Sequence, residues 1–202
     1  MRIAFLFFTL FAVACCASVP DIPDAAYRAV QIRSATGTGT AWPVMNLPGE
    51  KLESQTLLLT ARHILMPLEA RVYGQTVKIQ KYVQHPREDV QLLWIKRHQP
   101  MSVIRMAERM PRYGDTLFGV GYPGRGKFIT EGRAGSTLGN AALHCAPGFS
   151  GGPVLNTKGE AVGVASSIRV YRGHPVWFLS SFVPLTPDIQ SWVRSHAYNR
   201  RK

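Results

Sequence analysis

GFSGGP, residues 148–153, sets one hydroxyl, Ser150, among Gly148, Gly151 and Gly152, and Pro153 opens the apolar stretch PVLN. Gly and Ser are ordinary turn formers, so a loop leading into a strand accounts for the composition by itself. The same residues suit a nucleophile. Glycines let backbone amides turn toward a substrate oxygen and let the substrate approach closely. The hexapeptide also fits G-x-S-x-G, a strand-turn-helix elbow of parallel α/β sheets, so the fold depends on what surrounds it.

What surrounds it is a series of short strands. RAVQIRS, GTAWPV, QTLLLTA, QTVKIQKYVQ, DVQLLWIK, DTLFGVGYP, GKFITEG, GPVLN, EAVGVASS and VWFLSSFVP are rich in β-branched and aromatic residues, with Gly and Pro signals such as NLPGE and YPGRG between them. That punctuation predicts an all-β sandwich or barrel. The helical periods that alternating βα units require are missing. One helix is signalled near the end, where Thr186 can cap, Pro187 suits the first helical position, and Ile189, Trp192, Val193 and His196 recur at helical spacing. Residues 97–115 break the strand rhythm and form the expected crossover between two β units.

The chain of 202 residues is 46% hydrophobic and 18% charged, ordinary for a folded protein. MRIAFLFFTLFAVACCA, residues 1–17, has one basic residue, Arg2, then an apolar run and small residues. This is the pattern of a secretory signal peptide, with cleavage after Ala14 or Ala17 and residues 18–202 as the mature, secreted or periplasmic domain. Cleavage before Cys15 would resemble bacterial lipoprotein processing, but Ala12 stands where that signal usually has leucine. Removal of Cys15 and Cys16 leaves Cys145 alone, so no disulfide framework is expected. No later stretch is long and apolar enough for a transmembrane helix. The formal charge of +12 suits anionic surfaces. Basic residues are scattered, however, and no nucleic-acid motif is present, so no specific nucleic-acid partner is expected.

A serine hydroxyl is a weak nucleophile at neutral pH and needs a base within hydrogen-bond reach, itself oriented by a third group. Of six histidines, His63 has the informative context, LLLTARHIL, where an apolar strand ends and the chain turns. A histidine there is held rigidly yet can face a cleft. In HPREDVQLLWIK, Asp89 immediately precedes a hydrophobic strand and can accept the imidazole N–H. Glu88 is its rival, pointing to the other face if Asp89 points inward. Taken singly, His63 is an ordinary loop histidine and Asp89 a strand-edge charge.

Together, TARHIL, DVQLLWI and GFSGGPVLNTKGEAVGV, in the order His, Asp, Ser, resemble the trypsin-like serine proteases of the chymotrypsin fold, in particular bacterial Deg/HtrA-type peptidase domains. An α/β-hydrolase would have the order Ser, acid, His. The resemblance spans roughly residues 27–194 and implies two six-stranded β-barrels, about 25–98 and 112–185, with the helix at about 187–197. It implies a catalytic triad of His63, Asp89 and Ser150, an oxyanion hole from the amides of Gly148 and Ser150, and a peptide or protein substrate. No metal or organic cofactor is implied. By position relative to Ser150, His144, Cys145 and Ala146 are expected on one wall of the specificity pocket and Ser166, Ser167 and Ile168 on the other. No PDZ-like segment follows, so Deg-type assembly is not expected. The competing function is a non-catalytic binding module with a basic surface, favoured by Phe149 where the family usually has Asp or Asn. The phenyl ring is expected to pack into the second barrel and hold the turn that bears Ser150.

Overall fold

A computed structural model describes residues 22–35, 37–48, 54–97, 100–136, 138–171 and 174–198. A short 3-10 turn, Asp24–Arg28, leads into β1 (Val30–Ser34), β2 (Thr38–Pro48), β3 (Ser54–Thr60), β4 (Pro67–Val72), β5 (Gln75–Gln84) and β6 (Gln91–Arg97). These close into an antiparallel barrel in the order β1-β2-β3-β6-β5-β4. After the crossover come β7 (Thr116–Gly121), β8 (Phe128–Ala134), β9 (Asn140–Ala142), β10 (Pro153–Leu155), β11 (Ala161–Tyr171) and β12 (His174–Pro184), closing a second barrel in the order β10-β11-β12-β9-β8-β7. Helix α1 (Pro187–Tyr198) ends the fold. The signal-peptide expectation, with Cys15 and Cys16, falls outside the described residues.

Leucine runs such as LLL (57–59) and LLWI (92–95) are buried on both faces, because side chains along a strand alternate between two apolar layers. Leu58, Leu93 and Ile95 fill the first barrel with Ile32 and Ile79. Their neighbours Leu57, Leu59, Leu92 and Trp94 turn outward and meet Phe118, Val120, Leu155 and Val164 of the second barrel, in one cluster with Trp42. Each such side chain contributes about 2–3 kcal/mol by burial, so the two barrels are fixed against each other. The second barrel encloses Leu117, Leu143, Phe149, Val154 and Val162.

Two strands lie outside the sequence expectation. In β4 burial alternates around only Pro67, Ala70 and Val72, while Leu68 is exposed, so its apolar signal is weak. β9 is Asn-Ala-Ala, three residues with low strand propensity, held by pairing to β8 and β12. Residues 100–115 form no strand: the backbone makes an isolated parallel bridge, Met106 to Ala161, and a bond from Ile104 N–H to Pro43 O at 2.8 Å, and drops Ile104 and Ala107 into the core. Helix α1 buries Ile189 and Val193, and its Trp192 meets His85 edge-on, with ring centroids 4.9 Å apart.

Candidate active site

β3 ends at Thr60, and the chain turns through Ala61–Ile64 with Ile64 N–H donating to Ala61 O at 3.3 Å. His63 stands exposed on this turn. The buried Gln91 amide at the start of β6 holds the turn from beneath, donating to Ala61 O at 2.9 Å and Ile64 O at 2.8 Å. Just before β6, Asp89 closes on it. His63 Nδ1 lies 2.7 Å from Asp89 Oδ2, and the His63 backbone N–H donates to Oδ1 at 2.9 Å. Two bonds donated to one carboxylate fix both the ring and the backbone it hangs from. Glu88, the rival acid, is exposed and makes no bond to His63.

His85 shapes the loop that carries Asp89. Its ring Nδ1 accepts the backbone N–H groups of Glu88 at 3.0 Å and Arg87 at 3.3 Å. Burial holds its pKa below 6.5, with Arg87 and Arg62 adding to the shift while Glu88 and Asp188 oppose it. The ring therefore stays neutral and can accept.

Opposite, the 148–152 turn comes from the second barrel. Gly148 has φ +103°, and a Cβ there would stand 2.2 Å from Tyr122 O. Gly151 has φ +83°, and its Cβ would meet Thr60 Oγ1 at 2.0 Å and Thr40 O at 2.2 Å. The bareness around Ser150 is thus imposed by close backbone packing and left-handed torsions. Phe149 is buried in the second-barrel core, as expected, with its ring against Gly121. Phe149, Gly151 and Gly152 donate their amides to Ala146, Ala165 and Phe149 carbonyls. No bond from the amides of Gly148 or Ser150 occurs among the described residues. Two N–H donors are left for an incoming oxygen.

Buried Thr40 on β2 joins the barrels at this point. Its N–H donates to Ser150 O at 2.9 Å, its hydroxyl donates to Gly148 O at 2.6 Å and accepts Tyr122 N–H at 3.1 Å, and its carbonyl accepts the Thr60 hydroxyl at 2.6 Å. Ser166 makes a second bridge. Its hydroxyl donates to Asp89 Oδ2 at 2.6 Å, while its carbonyl faces Ser150 Oγ at 3.5 Å. Burial alone would raise the Asp89 carboxyl, but bonds from the His63 ring, the Ser166 hydroxyl and the His63 amide, with the imidazole charge, outweigh it and hold the pKa below its ordinary value. No hydrogen bond joins Ser150 to the His63 ring among the described residues. Such contacts are commonly long before substrate binds.

Behind Ser150 lies a cavity of about 250 Å³, lined on opposite sides by Cys145 and Ala146 and by Ser166 and Ser167, with Ser180 and Ser181 between. Burial pushes the Cys145 thiol up, against the Ser180 hydroxyl bonded to it, so the pocket holds no charge. His144 is outside this lining, contrary to expectation. Leu143 and Cys145 turn inward, and strand-like alternation sends His144 to solvent. The side chain of Ile168 lies outside the described residues. Sequence reasoning missed Thr40, His85, Gln91, Ser180 and Ser181. Only Thr40 and Gln91 had any signal, as polar residues immediately before the apolar runs AWPV and LLWI.

Two closed antiparallel barrels, with an Asp-His pair on one and a glycine-framed serine on the other, define the chymotrypsin-like protease fold. The chain belongs to the trypsin-like peptidase domain family, which matches residues 37–164. Among solved structures, the Rv3671c protease of Mycobacterium tuberculosis H37Rv is similar. A serine-to-alanine mutant in the inactive form aligns with a TM-score of 0.67 at 16% identity, covering 86% of this chain and 89% of that one. A further structure of the Rv3671c protease, also inactive, aligns with a TM-score of 0.65 at 18% identity, covering 85% and 89%. At these identities the likeness is one of fold. No curated protein matches the sequence. Among the described residues no helix is long and apolar enough to cross a membrane.

Proposed function

We propose that this protein is a secreted serine endopeptidase in which Ser150 attacks the scissile carbonyl, His63 takes its proton and later gives it to the leaving amine, and Asp89 fixes the imidazole tautomer. The observation that best supports this is Ser166, whose hydroxyl binds Asp89 and whose carbonyl faces Ser150 Oγ. One residue thereby ties the carboxylate of the first barrel to the hydroxyl of the second. The uncommitted amides of Gly148 and Ser150 are suited to the oxyanion of the tetrahedral intermediate. The uncharged cavity beside them suits a small or medium, uncharged side chain on the acyl side of the scissile bond. The N-terminal signal directs export and is removed by cleavage after Ala14 or Ala17.

The test is hydrolysis of a peptide library by wild type, Ser150→Ala and Asp89→Asn protein. Ser150→Ala abolishes turnover, and Asp89→Asn lowers it roughly ten-thousandfold by the tautomer argument. Full activity of Ser150→Ala protein overturns the assignment, and an Asp89→Asn variant near wild type overturns the role of Asp89.

A further inference from the structure

Basic residues that are scattered in sequence are gathered by the fold. Two cavities of about 560 and 340 Å³ adjoin where the first barrel faces the connection between β7 and β8, sharing Gln31, Arg71, Gly74 and Arg125. Their lining brings together Arg28, Arg33, Arg71, Arg125 and Lys127 with one acid, Glu69. Among the described residues the one ion pair within 4 Å is His63 with Asp89, so no carboxylate closes on these cations. Arg28 donates to Val103 O at 2.6 Å. Lys127 donates to Tyr27 O and lies 6.0 and 5.5 Å from the ring centroids of Tyr27 and Tyr122. A carbonyl satisfies Arg28, and a carbonyl and two ring faces satisfy Lys127, without neutralising either. An anion entering a groove lined by these charges is attracted by several of them at once.

The groove's position indicates which anion. Thr38 lines it, and the next two residues abut the serine: a Cβ on Gly39 would stand 3.2 Å from Ser150 O, and Thr40 N–H bonds that oxygen. Tyr122 also lines it, with its amide bonded to Gly148 O at 3.2 Å. The uncharged cavity is lined by second-barrel residues alone, whereas this groove is lined by β1, β2 and β4 of the first barrel together with the connection between β7 and β8. A polypeptide with its acyl half in the cavity must send its leaving half the other way, over residues 38–40. We propose that the groove receives an acidic segment of the protein substrate on the C-terminal side of the scissile bond. This rests on the endopeptidase reading, and it makes Arg71, shared by both cavities, and Arg125 specificity-determining residues.

The test uses pairs of peptides identical before the scissile bond and differing in the four residues after it, Asp/Glu in one and Asn/Gln in the other. The acidic peptide has the higher kcat/KM by about tenfold, as two or three exposed charge pairs supply, and the preference shrinks with added salt. Arg71→Glu/Arg125→Glu removes or inverts the preference. Arg109→Glu/Arg194→Glu, which changes net charge equally at other surfaces, retains it. An active enzyme with no acidic preference overturns the proposal and leaves the protease reading standing. If neither peptide is cleaved, the protease reading rests on the peptide library, and fluorescence anisotropy of labelled acidic peptide on Ser150→Ala protein still decides the groove. Binding that is absent, or indifferent to Arg71→Glu/Arg125→Glu, overturns it. Binding of phosphatidylglycerol vesicles through these arginines without peptide preference overturns it in favour of a lipid surface.

Discussion

Replacing Thr40 by valine keeps the shape of a fully buried side chain and removes only its hydroxyl. Two hydrogen bonds go: the 2.6 Å bond to Gly148 O and the 3.1 Å bond from Tyr122 N–H. Neither partner is orphaned, because Tyr122 N–H and Gly148 O also bond each other at 3.2 Å. The full penalty for a buried unpaired group is therefore avoided, and the loss is about 1–2 kcal/mol, two ordinary net hydrogen bonds. Urea unfolding measures it as a lower midpoint at unchanged slope. The turnover effect is separate. Gly148 O is tethered to the first barrel through this hydroxyl, and the Gly148 amide is the proposed oxyanion donor. Removing such a donor outright costs about 100- to 1000-fold in kcat. Loosening it costs about tenfold, with KM little changed, and Thr40→Ser restores most of the rate. A stability loss with unchanged kcat would refute the coupling of this tether to catalysis, and no loss of either would refute the bond itself.

Ser166→Ala removes one bond to Asp89, so its carboxyl pKa rises toward the ordinary value and turnover falls several-fold; an NMR titration of the Asp89 side chain that shows no upward shift contradicts the assignment. Phe149→Ala empties a buried site and costs about 3–5 kcal/mol in chemical denaturation. Gly121→Ala sets a Cβ 2.4 Å from the Phe149 ring and loses more activity than stability, because it displaces the turn bearing Ser150; normal turnover would contradict that link. Both depressed groups make stability fall with acid. The His85 contribution is present above 6.5 and is lost as pH falls below that value, and the Asp89 contribution is present above 3.8 and is lost below it. Melting temperatures should decline in two steps, with His85→Asn removing the first; a flat profile from pH 7 to 5 in the wild-type protein contradicts the neutral-ring account.

The strands legible in sequence were those whose side chains decide their burial, as in LLL and LLWI, where two apolar layers demand a continuous run. β9 was illegible because its pairing is dictated by neighbours and not by Asn-Ala-Ala itself. The positions of His63, Asp89 and Ser150 were readable because each adjoins a strand end with a distinctive pattern. His144 was misplaced for a reason that chain position does not reveal: which of two adjacent residues faces inward is set by the buried Leu143 and Cys145 around it. The basic groove was invisible for the opposite reason. Its cations come from the 3-10 turn, β1, β4 and the connection between β7 and β8, and only closure of the barrels brings them together.

Covalent labelling with a fluorophosphonate probe, with the modified residue mapped by tandem mass spectrometry, tests the proposed chemistry most directly. An activated serine reacts stoichiometrically, whereas an unactivated hydroxyl does not react at all. The expected result is one adduct per chain, on Ser150, abolished by His63→Ala. A folded protein that takes up no probe, or takes it up equally after His63→Ala, contradicts the proposed mechanism.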